Sequence, residues 1–283
     1  MISDLSGLVA PLSVAEFQQL LCARQPKLVR GNGDGGRYAE LLDWRGLMNL
    51  VLNGDYPRKR LRLTQRGVPL PSIFYQDDNG PKAAIITQVM ETVGSLIFYG
   101  IDPYVPAMSR LCAAIADEIG ELILGSAIAS TGAGGALPVH YDDTDLIVLQ
   151  VEGSKRWLIE DDPVINPAAG MPFVAGGADP ALILDEVLEP GDLLLVPGGY
   201  RHRCETLGDR SMHIGFFFYP LTAPRALDLL KRRMLADVAD RKPIRFTWAE
   251  RAEVEASLKR TLIDRIDQMS LSDLLADHRL TGM

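Results

Sequence analysis

The chain has 283 residues, 47% of them hydrophobic and 23% charged, a globular balance that can bury a core without disulfides or a structural metal. Its formal net charge of −8 argues against a nucleic-acid binder, whose phosphate contacts need a basic surface. Three scattered cysteines (Cys22, Cys112, Cys204) and an N-terminus without a basic-then-apolar leader point to the cytoplasm, and no apolar run reaches the ~18 residues of a membrane span.

In chain order, residues 13–24 read as a helix. Ser13 and Glu16 form a capping box ahead of Phe17, Leu20 and Leu21. Gly31 to Gly36 is a loop without the Lys-Ser/Thr ending of a phosphate-binding loop. Residues 41–52 read as helix and 59–63 (KRLRL) as a strand with one wet face. Residues 87–98 are apolar and fit either state. Residues 103–124 read as one long helix, with Met108, Leu111, Cys112, Ile115 and Ile119 on one face.

From Ala127 to Tyr219 the texture changes. Short apolar runs (LIVLQV, RWLI, ALILDEV, DLLLVP, MHIGFFFY) alternate with Gly/Pro turns, the pattern of an antiparallel barrel or sandwich. After Pro224 the chain turns helical again. Leu227, Leu230, Met234 and Val238 make one stripe. Thr247 and Glu250 cap a second, with Val254, Leu258, Leu262 and Ile266, and a short helix follows from Ser272. The expected class is mainly β with flanking helices (α+β). Residues 1–125 form a mixed helical lead-in, 126–221 the β core and 222–283 a helical tail. The tail's apolar stripes need covering, either by the core or by a second copy in a homodimer.

Two segments carry chemistry. In His140-Tyr141-Asp142, just before LIVLQV, a strand would project residues i and i+2 to one face. A His-x-Asp also occurs at turns and in surface pairs. In Gly191 to His202 (GDLLLVPGGYRH), Pro190-Gly191-Asp192 makes a turn, DLLLV a buried strand and Pro197-Gly198-Gly199 a second turn that delivers His202. Two histidines and a carboxylate on a β scaffold match the facial triad of non-haem Fe(II) oxygenases.

The second segment matches Gly-x5-Pro-x-Gly-x2-His, the second cupin motif, at every fixed position through His202. Thr206 replaces the motif's later Asn. Residues 137–230 resemble the JmjC-type cupin oxygenases, especially the bacterial cupin-4, ribosomal-oxygenase-like group. The quoted stretches are HYDDTDLIVLQVEGSKRWLI, LEPGDLLLVPGGYRHR and SMHIGFFFYPLTAPRALDLL, with a weaker likeness in PKLVRGN, YAELLDW and RLRLTQRGVPLP. The resemblance implies a double-stranded β-helix core. It implies Fe(II) held by His140, Asp142 and His202, with 2-oxoglutarate and O2 as co-substrates.

It also implies that Lys155, fifteen residues after His140, pairs with the distal carboxylate of 2-oxoglutarate. The cation follows a Glu152-Gly153-Ser154 turn, and either Lys155 or Arg156 faces inward. Relatives often carry Tyr or Asn on the preceding strand. Here Ile128 stands near that position, and Ser126, Ser130 or Thr131 is the substitute expected to help hold the co-substrate. His213 is either a hydrogen-bonded core residue or a contact to co-substrate or iron ligand. His278 is expected at the surface, and Cys204 in packing. Asp143 and Asp145 are turn acids or mouth acids, and Tyr141, Tyr200 and Arg201 are rim residues.

The function implied is hydroxylation of a protein or peptide side chain. Small-molecule hydroxylation by the same chemistry is the alternative, and a non-catalytic cupin binding protein a second one. A polypeptide or small-molecule substrate is expected, with no nucleic-acid or membrane partner.

Overall fold

The computed structural model describes residues 2–31, 35–135, 137–244, 247–270, 272–274 and 276. The chain divides into two compact units. One comprises Met1–Ile119 and Ile123–Tyr219, the other Gly120–Leu122 and Pro220–Met283.

The first unit opens with helices whose starts are fixed by side-chain caps. Asp4 accepts from the Gly7 N–H at 2.7 Å to start α1 (Leu5–Val9). Both halves of the Ser13/Glu16 capping box start α2 (Val14–Ala23), and Asp43 accepts from Gly46 to start α3 (Trp44–Asn53). Each cap satisfies backbone donors that a helix leaves unpaired in its first turn. Between and after them come β1 (Lys27–Val29), β2 (Leu61–Gln65), the two-residue strands β3 (Val68–Pro69), β4 (Gln76–Asp77) and β5 (Gly80–Pro81), and α4 (Ala83–Met90). Next are β6 (Gly94–Phe98), α5 (Pro106–Ile119), β7 (Leu122–Thr131) and β8 (Gly134–Gly135). The last strands are β9 (Asp145–Glu160), β10 (Leu182–Leu188), β11 (Leu193–Val196) and β12 (His202–Tyr219).

One sheet runs β1-β11-β9-β12-β7-β6-β2-β3, with β10 also on β9 and β8 on β12. β9 and β12 are each two strands in one. The first half of β9 pairs with β11 and with the second half of β12. Its second half pairs with β10 and with the first half of β12. Two long antiparallel strands that change neighbours midway are the frame of a double-stranded β-helix flanked by helices, as expected for this class.

Alternation along these strands divides the apolar residues between two clusters. Ile147, Leu149, Leu193, Leu195, Ile214 and Phe216 join the lead-in helices through Leu5, Phe17, Leu47 and Met108. Leu146, Val148, Trp157, Ile159, Leu194 and Val196 form a smaller inner cluster. The functional side chains lie on this inner face.

Several sequence expectations are corrected. The helix expected over 103–124 ends at Ile119, and Leu122 already opens β7, because Gly120 adopts φ +83° and breaks the helix. The turn expected at 152–154 is a bend inside β9. Gly153 sits at φ +59°, where a Cβ would lie 2.0 Å from the Arg210 carbonyl, so the strand kinks without reversing. Residues 58–60 are a short 3-10 turn, and the strand begins at Leu61. The ambiguous 87–98 segment is the end of α4 followed by β6, all five residues of which are buried.

The second unit contains α6 (Ala223–Ala236) and α7 (Arg251–Asp267). Both halves of the Thr247/Glu250 capping box are present. Arg265 ties the unit together, reaching Asp237 at 2.7 Å and Asp240 at 3.0 Å. On α6 the buried residues are Leu229 and Leu230, while Leu227 and Val238 of the expected stripe are exposed. No residue of α7 is buried. The helix expected from Ser272 and the surface His278 fall largely or wholly outside the described residues.

Candidate metal and co-substrate site

Ligand atoms of His140, Asp142 and His202 all lie within 4.8 Å of one another. Backbone pairing brings them together. His140 and His202 form an isolated antiparallel bridge, with N–H···O distances of 3.1 and 2.7 Å. The Gly199 N–H adds a bond to the Asp142 carbonyl at 2.8 Å. His140 and Asp142 therefore sit on an irregular segment pinned by this bridge rather than in a regular strand, which begins only at Asp145. The 197–200 turn is held from outside as well. Tyr200 donates its hydroxyl to the Arg24 carbonyl at 3.1 Å, and the Arg24 guanidinium donates to the Gly198 carbonyl.

The two imidazoles are oriented alike. Nδ1 of His140 lies 2.9 Å from the Pro138 carbonyl, and Nδ1 of His202 lies 2.9 Å from the Tyr200 carbonyl. A carbonyl oxygen only accepts, so each Nδ1 carries the proton and each Nε2 presents a lone pair. His202 Nε2 is 3.8 Å from Asp142 Oδ2. Burial holds the His202 pKa down, His140 reinforces this, and Asp142 opposes it. A neutral imidazole is the form that ligates a metal. Trp157 packs against the ring of His202, centroids 5.7 Å apart. The cluster opens to solvent on one side, since the Asp142 side chain is 27% exposed and that of His202 only 4%.

Deeper on the inner face, Lys155 is 0% exposed. Its Nζ donates to Ser130 Oγ at 3.3 Å and lies 3.1 Å from His213 Nδ1. Ser130 in turn accepts from Ser95 Oγ at 3.0 Å. Among the described residues no carboxylate pairs with this lysine. Burial depresses its pKa, which the Cys204 thiol partly offsets. Burial also pushes His213 well below the usual imidazole value, and Lys155 and then His202 push it further. His213 is thus neutral, and its Nδ1 accepts from Lys155. Four buried side-chain atoms on β9 and β12, Gln150 Oε1, Trp157 Nε1, Glu160 Oε2 and Thr206 Oγ1, have no hydrogen-bond partner among the described residues.

Of the three hydroxyls weighed from sequence, Ser130 alone contacts Lys155. Ser126 accepts from the Gly100 N–H, and Thr131 bonds the backbone of Gly94. Ile128 faces Ile97 in the β6–β7 ladder. Arg156 points the other way from Lys155, into a bidentate pair with Asp185 at 2.6 Å. Asp145 is a turn acid, accepting from the Gly198 N–H at 2.7 Å. Tyr200 and Arg201 are buried supports, and Tyr141 stands at the rim.

Tyr99 was missed from sequence. It continues the Ser95, Ile97 alternation just past β6, and Arg62 lies over its ring at 5.4 Å. Burial raises its hydroxyl pKa, with Arg62 opposing and Asp142 adding to the rise. The period-two pattern from Ser95 was the available signal.

Comparison with known proteins finds relatives in sequence and in fold. A family model described as the JmjC domain matches residues 104–225. The chain is 26% identical over 237 residues to the bifunctional lysine-specific demethylase and histidyl-hydroxylase NO66 of Drosophila persimilis, covering 76% of this chain and 31% of that protein. It is 24% identical to ribosomal oxygenase 2 of Mus musculus, covering 72% and 44%. The chain thus spans less than half the length of these relatives. The Escherichia coli ribosomal oxygenase YcfD, solved with cobalt and 2-oxoglutarate, superposes with a TM-score of 0.59. That match has 19% identity and covers 91% of this chain and 67% of that one, a likeness of fold. Residues 104–225 of this chain thus carry its match to the JmjC domain family.

Proposed function

We propose that this protein is an Fe(II)- and 2-oxoglutarate-dependent hydroxylase of a protein or peptide side chain. The observation that carries the reading is the pairing of a His-Asp-His cluster with a fully buried lysine that has no carboxylate partner among the described residues. A buried ammonium without an anion is costly. A dianionic co-substrate whose one end reaches the metal would supply that anion. The unpartnered Thr206 hydroxyl and Trp157 N–H fit the same interior, which is built to receive a polar guest.

The donor set fits Fe(II), with two neutral imidazoles and one carboxylate leaving the remaining positions open. When bound, the iron with 2-oxoglutarate and O2 supplies the oxidising power to hydroxylate an unactivated C–H bond. The chain's own residues do the rest. His140 and His202 present Nε2 because their Nδ1 protons are held by backbone carbonyls. Lys155 holds the distal carboxylate of 2-oxoglutarate. Ser130 and neutral His213 fix the position of its Nζ. Trp157 and the inner apolar cluster keep water from the buried side.

A protein substrate is favoured by the relatives, which are named histidyl-hydroxylase and ribosomal oxygenase. The test is anaerobic titration of the chain with Fe(II) and 2-oxoglutarate, then succinate release against peptide and amino-acid pools. A weak visible charge-transfer band and peptide-stimulated succinate are expected. A folded chain that gives no band overturns the reading.

Exposed apolar residues of the tail, Leu227, Leu235, Val238, Ile263 and Ile266, support self-association of that segment, which light scattering after size exclusion tests. The free cysteines suit a reducing compartment, which supports the cytoplasm. Among the described residues no helix is long and apolar enough to cross a membrane.

A further inference from the structure

We infer that the segment between β9 and β10, residues 161–181, is a docking shelf for a cationic polypeptide carrying an exposed aromatic or long aliphatic side chain. This rests on the hydroxylase reading and extends it to the recognition of the substrate.

A connection of this length without regular structure is unusual between paired antiparallel strands. It is nevertheless held firmly. Asp161 N–H bonds the Ala181 carbonyl at 2.8 Å, and Val164 N–H bonds the Gly199 carbonyl at 2.9 Å. Buried Arg201 donates from Nε to the Val174 carbonyl at 3.0 Å and from Nη1 to the Asp162 carbonyl. Tyr141 donates its hydroxyl to the Pro172 carbonyl at 3.3 Å and stacks on Phe173, centroids 5.5 Å apart and planes at 13°.

Anchoring of this kind usually serves to bury apolar side chains. Here it displays them: Met171 is 43% exposed, Phe173 60% and Val174 42%. Phe173 is joined through Tyr141 to the segment that carries two proposed iron ligands, His140 and the part-exposed Asp142. A substrate confined to the interior would leave this run bare. A polypeptide entering past Asp142 would cover it.

Charge gives the partner's sign. Residues 161–181 contain Asp161, Asp162 and Asp179 and no Lys, Arg or His. Asp162 is engaged with Arg201, while Asp161 and Asp179 are exposed. Acid beside a fixed apolar surface selects a basic segment with an apolar anchor.

The test is selection of displayed random 12-residue peptides on the full chain, with winners remade as fluorescein conjugates for anisotropy. Winners are expected to carry Lys or Arg around one aromatic or long aliphatic residue. They should bind M171S/F173S at least tenfold more weakly and D161N/D179N at least threefold more weakly. They should bind I73S/F74S, which alters a different exposed apolar pair, as tightly as the unmodified chain. The inference is overturned if nothing is enriched, if winners are acidic, or if M171S/F173S binds them unchanged. The charge-transfer band of the unmodified chain separates the two ideas. A band with undiscriminated peptides removes the shelf alone. Discriminated peptides without a band remove the hydroxylase reading and leave a peptide site.

Discussion

Lys155 Nζ and His213 Nδ1 lie 3.1 Å apart in the interior, the lysine wholly buried and no carboxylate balancing it among the described residues. A cation so placed works against the folded state, and under the proposed function it is retained for the carboxylate it would bind. Lys155→Met should therefore stabilise the chain without co-substrate by about 1 kcal/mol or more, seen in urea unfolding. The same variant should bind 2-oxoglutarate at least tenfold more weakly, followed by tryptophan fluorescence. A loss of stability instead would mark the lysine as structural.

His213 gives a pH dependence with a definite sign. Its folded-state pKa lies well below the ordinary value, so the unfolded chain takes up a proton near pH ~6.5 that the folded chain refuses. Stability from this group is present above that pH and lost as pH falls below it, at up to about 1.4 kcal/mol per pH unit. His213→Gln keeps an acceptor for Lys155 without a titrating ring. Its melting temperature should decline less steeply between pH 6.5 and 5 than that of the unmodified chain.

Metal binding should depend on all three clustered side chains. Calorimetric titration with Co(II) near pH 7 should show one site. His140→Ala and His202→Ala should each weaken it by roughly 100-fold or more, beyond the effect of losing an outer hydrogen-bond partner. Both variants keep the backbone bridge between these residues, so their circular dichroism should match the parent.

The bend of β9 admits a paired test. Gly153→Ala places a Cβ 2.0 Å from the Arg210 carbonyl at a left-handed φ and should cost about 2–4 kcal/mol. Gly208 is also left-handed, but its Cβ would meet nothing, and Gly208→Ala should cost only about 1 kcal/mol. Chemical denaturation compares the two.

Much of this was legible because its signals are local. The capping boxes at Ser13 and Thr247 are four-residue patterns, and both form. The Gly191–His202 segment alternates turn residues with an apolar strand short enough to read directly, and its strand is fully buried. What escaped depends on partners distant in sequence. The β9 kink is dictated by Arg210 and the orientation of 161–181 by Arg201 and Tyr141; Ser130 is chosen over Thr131 by the face of β7 that meets Lys155, and over Ser126 by its place along that face. The α5–β7 boundary was lost because apolar residues on both sides of Gly120 continue a helical period by coincidence.

The His140–His202 bridge has a consequence for how the chain matures. The two imidazoles come from segments separated by β9, β10 and β11, so neither half of the polypeptide carries all three residues of the cluster. A metal ion held by all three would be captured only once the last strand has closed. Bound to the native state and not to the unfolded one, it would add RT ln(1 + [M]/Kd) to stability. Occupancy of the cluster would thereby report that the last strand is in place.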